Sequence, residues 1–169
     1  GSRVGAMAAR ALGRRVLVHS PRARDTGSFT RVDHLEEALG QADLVTLHTP
    51  LRPETRHMIG AARLAAMKAG ALLVNVARAE LVDEVALAEA LNAGHLGGAA
   101  LDVYAAGAPQ GPLGDCGKVI FTPHLGGTTE EALRRAALRA AAHVITALQG
   151  GSPDSVVIPW PAPPSEASA

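Results

Sequence analysis

The sequence predicts an α/β fold built on a doubly wound parallel sheet. Short aliphatic runs alternate with helical patterns along the 169 residues, which favours parallel strands joined by helical crossovers. Hydrophobic residues make up 47% of the chain and aromatic residues only 2%, so the core must consist mainly of Ala, Val, Leu and Ile. We predict one domain over residues 1–151, followed by a Pro-, Ser- and Ala-rich tail over residues 152–169.

Five aliphatic runs are the predicted strands: 15–19, 43–48, 71–76, 98–103 and 119–121. The run 71–76 is apolar almost throughout, which predicts a strand buried on both faces. Helices are predicted over 6–12, 35–41, 53–59, 61–68, 83–92 and about 129–148. Asp33 is the expected N-cap of the helix at 35–41, and Gly70, Gly94 and Gly150 are the expected helix stops.

Charge and cysteine content exclude several function classes. Lys plus Arg and Asp plus Glu number 16 each, so net charge gives no reason to expect nucleic acid or a membrane as partner. No apolar run reaches the roughly 18 residues of a membrane span, and no signal peptide is expected. Cys116 is the only cysteine, which excludes an internal disulfide or zinc finger. We expect no metal site, a cytoplasmic location and, from the excess of Arg over Lys, a bacterial source.

Candidate ligand residues follow each predicted strand, which is where ligands bind in open parallel sheets. In chain order they are Ser20, Arg22 and Arg24; Thr49 and Pro50; Ala77 and Arg78; Asp102; and His124. Because the carboxyl ends of parallel strands share one edge, these residues predict a single ligand site.

The first residues resemble the second half of a G-x-G-x-x-G turn, with Ser2 at the second glycine position and Gly5 at the third. In such a turn Ser2, Arg3, Val4 and Gly5 would let a pyrophosphate approach the free N–H groups of a helix N-terminus. The alternative is that Gly1 and Ser2 are a tag remnant before an ordinary helix.

Three longer segments resemble the D-isomer-specific 2-hydroxyacid dehydrogenase family. They are 42–60 (ADLVTLHTPLRPETRHMIG), 67–104 (MKAGALLVNVARAELVDEVALAEALNAGHLGGAALDVY) and 119–132 (VIFTPHLGGTTEEA), in the family's order and spacing. The resemblance implies a Rossmann-type NAD(P)-binding domain of an oxidoreductase, similar to glyoxylate and hydroxypyruvate reductases. The substrate domain that the family pairs with it is expected to be absent.

The resemblance also implies roles for single residues. Arg78 matches the arginine that grips the substrate carboxylate through two parallel hydrogen bonds, or alternatively forms a salt bridge with Glu80 or Glu84. His124 matches the histidine that exchanges a proton with the substrate oxygen. Asp102 matches an aspartate near the nicotinamide carboxamide, or alternatively caps the turn after its strand. The implied cofactor contacts also include Thr49, Pro50, Val76, Ala77, Arg78, His124 and Gly126.

One departure from the family pattern bears on catalysis. The family carries a glutamate that orients the histidine, but residues 103–114 contain no acid. Asp115 folds back to replace it, or His124 works unpaired, or the domain is catalytically impaired.

A second departure bears on the cofactor. The family acid that binds the ribose of NAD is absent, and Ser20, Arg22 and Arg24 stand in its place. A serine with nearby arginines suits the 2′-phosphate of NADP, so we predict NADP preference over NAD; the alternative is a solvated basic loop.

A third departure concerns the sheet. In the family an apolar strand at the centre of the sheet leads into the glycine turn, and no such strand precedes Gly1. We expect two rows of unpaired backbone groups there, unless a partner or a swapped segment fills the gap.

The leading hypothesis is the nucleotide-binding domain of an oxidoreductase that transfers a hydride between NAD(P)H and a small 2-keto or 2-hydroxy acid, inactive without its substrate domain. The alternative is a non-catalytic dinucleotide-binding and dimerisation module, similar to the family's co-repressors. A homodimer is expected because family members pair through this domain, and the helix at 82–92 is the candidate contact surface.

Overall fold

The computed structural model describes residues 1–21, 26–105 and 111–154. The chain divides into two compact units, Gly1–Leu125 and Gly126–Ala169. The first unit carries the strands and all but one of the described helices, and the second carries a single long described helix. The predicted boundary between a domain at 1–151 and a tail stays a prediction, since residues 155–169 lie outside the described part.

The described strands form two parallel sheets. Their bounds are β1 (Leu17–Val18), β2 (Thr30–Arg31), β3 (Leu44–Leu47), β4 (Leu72–Asn75), β5 (Gly98–Leu101) and β6 (Val119–Phe121). β1 pairs with β2, and the larger sheet has the order β3-β4-β5-β6. The predicted α/β fold with parallel strands is confirmed.

The helices connect the strands in the way that parallel pairing requires. They are α1 (Ser2–Leu12), α2 (Leu35–Gln41), α3 (Ala61–Ala66), α4 (Glu84–Asn92), α5 (Gly111–Gly114) and α6 (Glu130–Leu148), with two 3₁₀ turns at Pro53–Thr55 and Ala79–Leu81. Asp83 begins α4 as its N-cap, since its carboxylate accepts from the amides of Val85 and Ala86, each at 3.1 Å.

The hydrophobic core lies on one face of the larger sheet. Leu73 of β4 and Leu101 of β5 belong to one buried cluster with Leu39 of α2, Leu64 of α3 and Leu87 of α4. Each of these side chains is at most 2% exposed. Side chains alternate between faces along a strand, so this cluster uses every second residue of β4 and β5.

The opposite face of the same sheet is open, which makes the prediction of a doubly buried strand at 71–76 wrong. Leu44, Leu72 and Ile120 are 51%, 43% and 69% exposed. The buried residues of α2, α3 and α4 all belong to the cluster on the other face. An apolar run therefore marked a strand correctly but did not report how many of its faces are covered.

Three helix predictions need correction at their starts or lengths. The first helix begins at Ser2, four residues earlier than predicted. His34, not Asp33, is the N-cap of α2, because the Asp33 carboxylate instead accepts from Arg31 Nε at 3.0 Å. Only Pro53–Thr55 of the segment 53–59 is helical, and Ile59 forms a bridge with Val82.

Of the predicted glycine stops, Gly94 and Gly150 follow α4 and α6 closely with positive φ angles of 74° and 77°. α3, however, ends at Ala66, so Gly70 does not stop it. Gly70 lies in the turn that leads into β4 and has a φ of 79°.

Strand pairing is interrupted between β1 and β3. Among the described residues these strands belong to separate sheets, at the place where the family resemblance puts a central strand. α1 lies across this interruption: Gly5 contacts the segment around β1, and Gly1 lies beside His48 after β3.

None of the helices in the described part has the length and apolar character that crossing a bilayer demands. The same residues contain no group of three or more His, Cys, Asp or Glu side chains placed to bind a metal ion.

Candidate functional site

The carboxyl ends of β3, β4, β5 and β6 lie along one edge of the larger sheet because these strands are parallel and paired in register. Thr49 and Pro50 follow β3, Val76 and Ala77 follow β4, Asp102 directly follows β5, and His124 lies in the loop after β6. The structure thus brings these predicted site residues to a common edge.

The first turn of α1 lies at the same edge. A Cβ built on Gly1 would be 3.4 Å from Cβ of His48, the residue after β3. The first amide bonded within the helix is that of Gly5, which donates to Gly1 O at 2.9 Å. The amides of Ser2, Arg3 and Val4 precede that bond, and they are the donors that a helix N-terminus offers to an anion.

Gly5 serves packing. A Cβ on Gly5 would approach Phe29 to 3.1 Å and Val16 to 3.5 Å, so a larger residue would have to push the Phe29 ring aside to let α1 lie this close to the β1–β2 segment. Close helix–strand packing is the physical role of the third glycine in a G-x-G-x-x-G turn.

The loop after β4 presents Arg78, whose side chain is exposed. Arg78 Nη1 donates to the carbonyl of Ala77 at 2.6 Å. The alternative salt bridge is not seen: no ion pair joins Arg78 to Glu80 or Glu84 among the described contacts, and Glu84 instead accepts from the amide of Ala105 at 2.8 Å. The guanidinium is therefore exposed and makes no ion pair among the described residues, with Nη1 bonded to its own loop.

The buried carboxylate of Asp102 holds the loop that carries His124. Its Oδ1 atom accepts from Thr122 Oγ1 at 2.5 Å and from the amide of Leu125 at 2.8 Å. These two contacts lie on either side of His124, whose backbone has a φ of 56°. This arrangement matches the turn-capping alternative for Asp102; its predicted contact with nicotinamide stays a prediction.

The two loops are linked through the strand ends. The amide of Asp102 donates to Asn75 O at 3.0 Å, and the amide of Thr122 donates to Leu101 O at 3.0 Å. A continuous hydrogen-bonded path therefore runs from the Arg78 loop, across the end of β5, to the His124 loop. An anion-binding guanidinium and an imidazole on one supported edge can bind a carboxylate and move a proton nearby.

His48 adds a further feature to this edge. Partial desolvation of its ring lowers the pKa of His48. Its Nε2 atom lies 3.1 Å from Thr46 Oγ1. Burial therefore favours the neutral form of this ring beside the first turn of α1.

Ser20 follows the carboxyl end of β1, as predicted for a ribose-binding position. Arg22 and Arg24, the other predicted contributors there, lie outside the described residues. Gly126 opens the second compact unit and also stays a prediction.

Asp115 does not fold back onto His124. It follows α5 and precedes β6, where its amide donates to Gly111 O at 3.1 Å, whereas His124 follows the opposite end of β6. That alternative is therefore wrong on topology. The family resemblance puts the glutamate at the position of Gly107 or Ala108, and both lie outside the described residues.

Two residues at the site were missed at the level of sequence. Asn75 and Thr122 both hold site loops through hydrogen bonds, but they read as ordinary strand-end residues beside aliphatic neighbours. An amide inside an otherwise apolar run was the one available signal for Asn75, because a buried polar side chain needs hydrogen-bond partners.

Comparison with known proteins identifies the family. The profile described as the NAD binding domain of D-isomer specific 2-hydroxyacid dehydrogenases matches residues 1–126. This chain belongs to the D-isomer specific 2-hydroxyacid dehydrogenase family. The resemblance predicted from the three segments is thereby confirmed, as is the Rossmann-type NAD-binding domain.

Relatives and solved structures agree with this assignment. The chain is 45% identical over 127 residues to the D-3-phosphoglycerate dehydrogenase of Methanocaldococcus jannaschii, covering 75% of this chain and 24% of that protein. It resembles the NAD-complexed D-isomer specific 2-hydroxyacid dehydrogenase of Lactobacillus delbrueckii ssp. bulgaricus with a TM-score of 0.85 and 33% identity, covering 94% of this chain and 53% of that one. Holo D-mandelate dehydrogenase of Rhodotorula graminis gives a TM-score of 0.90 and 29% identity, covering 96% and 49%.

The chain thus spans about a quarter of the curated relative and about half of each solved structure. Its own residues fit the dinucleotide that the family binds. The first turn of α1 lies beside His48 at the shared edge, its amides before Gly5 are the donors a helix N-terminus offers to an anion, and Gly5 allows α1 to lie close to Phe29.

Proposed function

We propose that this chain is the cofactor-binding part of an oxidoreductase that transfers a hydride between NAD(P)H and a small 2-keto or 2-hydroxy acid. The single observation that supports it best is the hydrogen-bonded path that holds the Arg78 and His124 loops at one sheet edge. That edge also carries the first turn of α1, so cofactor and acid would meet there.

Reduction of a 2-keto acid needs a hydride at the carbonyl carbon and a proton at the carbonyl oxygen. The bound cofactor supplies or accepts the hydride. Arg78 grips the carboxylate with two parallel hydrogen bonds and orients the carbonyl. His124, as imidazolium, donates the proton to the oxygen and becomes neutral; in the oxidative direction the neutral ring takes that proton from the hydroxyl.

His124 performs this step without an orienting acid from residues 103–114, since that segment has none. The backbone of His124 is nevertheless fixed on both sides by Asp102. Without an acid from that segment to orient the ring, we expect a slow enzyme, because loss of an orienting carboxylate costs orders of magnitude in rate.

NADP preference is part of the proposal and rests on Ser20, Arg22 and Arg24. Ser20 lies two residues beyond β1, and the two arginines follow it in a sequence that has no acid at the ribose position. A 2′-phosphate would find cations there instead of a repelling carboxylate.

A homodimer and a cytoplasmic location are also proposed, the latter from the lone Cys116. The predicted contact surface at 82–92 has fewer exposed residues than a whole helix would offer to a partner. Ala86, Leu87, Ala88 and Leu91 of α4 are buried in the chain's own core. Only the outward side of α4, where Val85 is 63% exposed, is left for a partner.

The second candidate is a non-catalytic dinucleotide-binding and dimerisation module. The absence of an acid over 103–114 favours it. The exposed Arg78 and the supported His124 loop argue against it, because a pure binding module has no need of either.

The test begins with titration of this chain by NADH and NADPH, followed through cofactor fluorescence. A version that carries a substrate domain is then assayed with glyoxylate, hydroxypyruvate, D-3-phosphoglycerate and D-mandelate. We expect tighter NADPH binding and measurable turnover of one acid. His124→Ala should abolish turnover while changing cofactor Kd less than about threefold, since its role is proton transfer.

Each outcome addresses a separate part of the proposal. Tighter binding of NADH would overturn the assignment at Ser20–Arg24. Cofactor binding with no turnover of any acid would replace the enzyme proposal with the binding module. A loss of cofactor affinity in His124→Ala as large as the loss of turnover would show that His124 is a cofactor contact and not the proton donor.

A further inference from the structure

Asn75 is a fully buried polar side chain at the carboxyl end of β4, with 1% of its surface exposed. An amide buried among aliphatic residues is costly unless its donor and acceptor are both satisfied. Its two neighbours on the same face of β4 and β5, Leu73 and Leu101, are apolar and need no such partners. Asn75 must therefore owe its place in this apolar layer to the hydrogen bonds that its amide forms.

Both ends of the Asn75 amide are bonded to the loop that carries Arg78. Nδ2 donates to Arg78 O at 2.8 Å, and Oδ1 accepts from the amide of Ala77 at 3.1 Å. The loop is thus closed onto the strand end from two directions. The backbone polar groups on either side of the Arg78 Cα are used, which fixes where the Arg78 side chain begins.

The same loop is tied to the next strand and to itself. Asn75 O accepts from the amide of Asp102, and Ala77 O accepts from Arg78 Nη1 at 2.6 Å. The 3₁₀ turn Ala79–Leu81 follows at once and buries Leu81 completely. Arg78 therefore stands on a loop clamped at both ends while its guanidinium lies exposed.

We propose that Asn75 is a positioning residue that sets the guanidinium of Arg78 for the substrate carboxylate. This inference rests on the proposed function, since it acts through Arg78. Asparagine suits the task because it offers one donor and one acceptor of fixed geometry. Aspartate would set a carboxylate oxygen against the Arg78 carbonyl, and alanine would leave Ala77 N–H and Arg78 C=O unpaired.

The experiment measures steady-state reduction of the keto acid that the substrate assay identifies, in the version carrying a substrate domain. The variants are Asn75→Ala, Arg78→Ala and the double variant, with Asn75→Asp as a second probe of the same contact. Leu73→Ala is the matched control. Leu73 lies on the same strand and face as Asn75 and is 0% exposed, but its apolar side chain forms no hydrogen bond to the Arg78 loop. Cofactor Kd and thermal midpoint are measured for each variant.

We expect Asn75→Ala to lower kcat/KM for the keto acid on the order of 10²-fold, as a misplaced binding group does, with most of the change in KM. Asn75→Asp should show a loss in the same direction. In the Arg78→Ala background, Asn75→Ala should cause no further loss, because residues acting as one unit are not additive.

An equal loss in the Arg78→Ala background would overturn the proposal, since Asn75 would then act by another route. A loss no greater than that of Leu73→Ala at a matched thermal midpoint would also overturn it, by reducing Asn75 to a structural residue. If Asn75→Ala does not fold, Asn75→Asp and Asn75→Ser carry the same comparison. Full activity in Arg78→Ala would instead show that the proposed role of Arg78 is wrong. No result from the Asn75 variants alone can show this, so the two failures are distinguishable.

Discussion

His124 occupies a left-handed backbone conformation, with a φ of 56°, that residues with a Cβ adopt at a cost. Something in the fold must hold it there, and the contacts of Asp102 account for this. Its Oδ1 atom binds Thr122 Oγ1 before His124 and the Leu125 amide after it. Because Asp102 itself is 8% exposed and bonded to Asn75 through its amide, the clamp is anchored in the sheet and not in solvent.

Thr122→Val therefore removes one support of the His124 loop, the hydrogen bond to Asp102, while keeping the shape of the side chain. We expect a loss of about 1.5–3 kcal/mol in the free energy of unfolding, since hydrogen bonds to charged acceptors contribute in this range. Urea unfolding followed by circular dichroism measures it. Thr122→Ser is the control, because it keeps the hydroxyl, and it should lose less than half as much. Equal losses in the two variants would show that the hydroxyl contributes nothing.

The sequence predicted the candidate catalytic residues but not the residues that hold them in place. Arg78 and His124 were found from their flanking motifs, and the structure places both at the sheet edge. The supports of these residues were not found, because Asn75 meets Ala77 and Arg78, and Asp102 meets Thr122, only after strand register is set. Contacts that cross from one strand end to the next have no local periodicity in the sequence.

At the level of elements, strands were located well and helix starts less so. Every described strand of the larger sheet falls inside a predicted aliphatic run. The start of α1 was misplaced because Gly5 indicated a turn, whereas it lies inside the helix to make room for Phe29. A glycine reports that space or conformational freedom is needed, and only the packed structure shows which of the two applies.

The amino ends of β4 and β5 are held together by a close backbone approach. The amide of Gly70 donates to His95 O at 2.7 Å, and the amide of Gly97 donates to Ala71 O at 3.0 Å. A Cβ on Gly97 would lie 2.5 Å from Gly70 O, which is shorter than any tolerable contact with a backbone atom. This pairing of segments therefore depends on a glycine at position 97.

Gly97→Ala should accordingly lower the free energy of unfolding by about 1–3 kcal/mol, since the two segments must separate. Gly117→Ala is the matched control: no atom lies within 4 Å of its added Cβ. That variant should be neutral or slightly stabilising, because alanine restricts the unfolded chain. Chemical unfolding of both variants in parallel gives the comparison. A neutral Gly97→Ala would mean that Gly70 can move away without cost.

At the level of the whole molecule, the larger sheet carries apolar residues on both faces, but only one of the two faces is well buried. Its covered face holds Leu73 and Leu101, at 0% and 2% exposure. Its open face holds Leu44, Leu72 and Ile120, none of which is less than 43% exposed. Hydrophobic burial stabilises a side chain in proportion to the apolar area removed from water, so the stability of this chain should depend mainly on the covered face.

Ile120 and Leu101 test this directly because they lie on neighbouring strands and point to opposite faces. Ile120→Thr keeps a β-branched residue at an exposed position and should change the free energy of unfolding by less than about 0.5 kcal/mol. Leu101→Thr removes a buried side chain and places a hydroxyl in the core, so it should cost at least about 2 kcal/mol. Urea unfolding measures both, and binding of a hydrophobic dye to the folded chain should decrease only in Ile120→Thr. A large loss of unfolding free energy in Ile120→Thr would show that this face is covered in solution, either by another part of the chain or by a second copy. If that loss depends on protein concentration, the cover is a second copy.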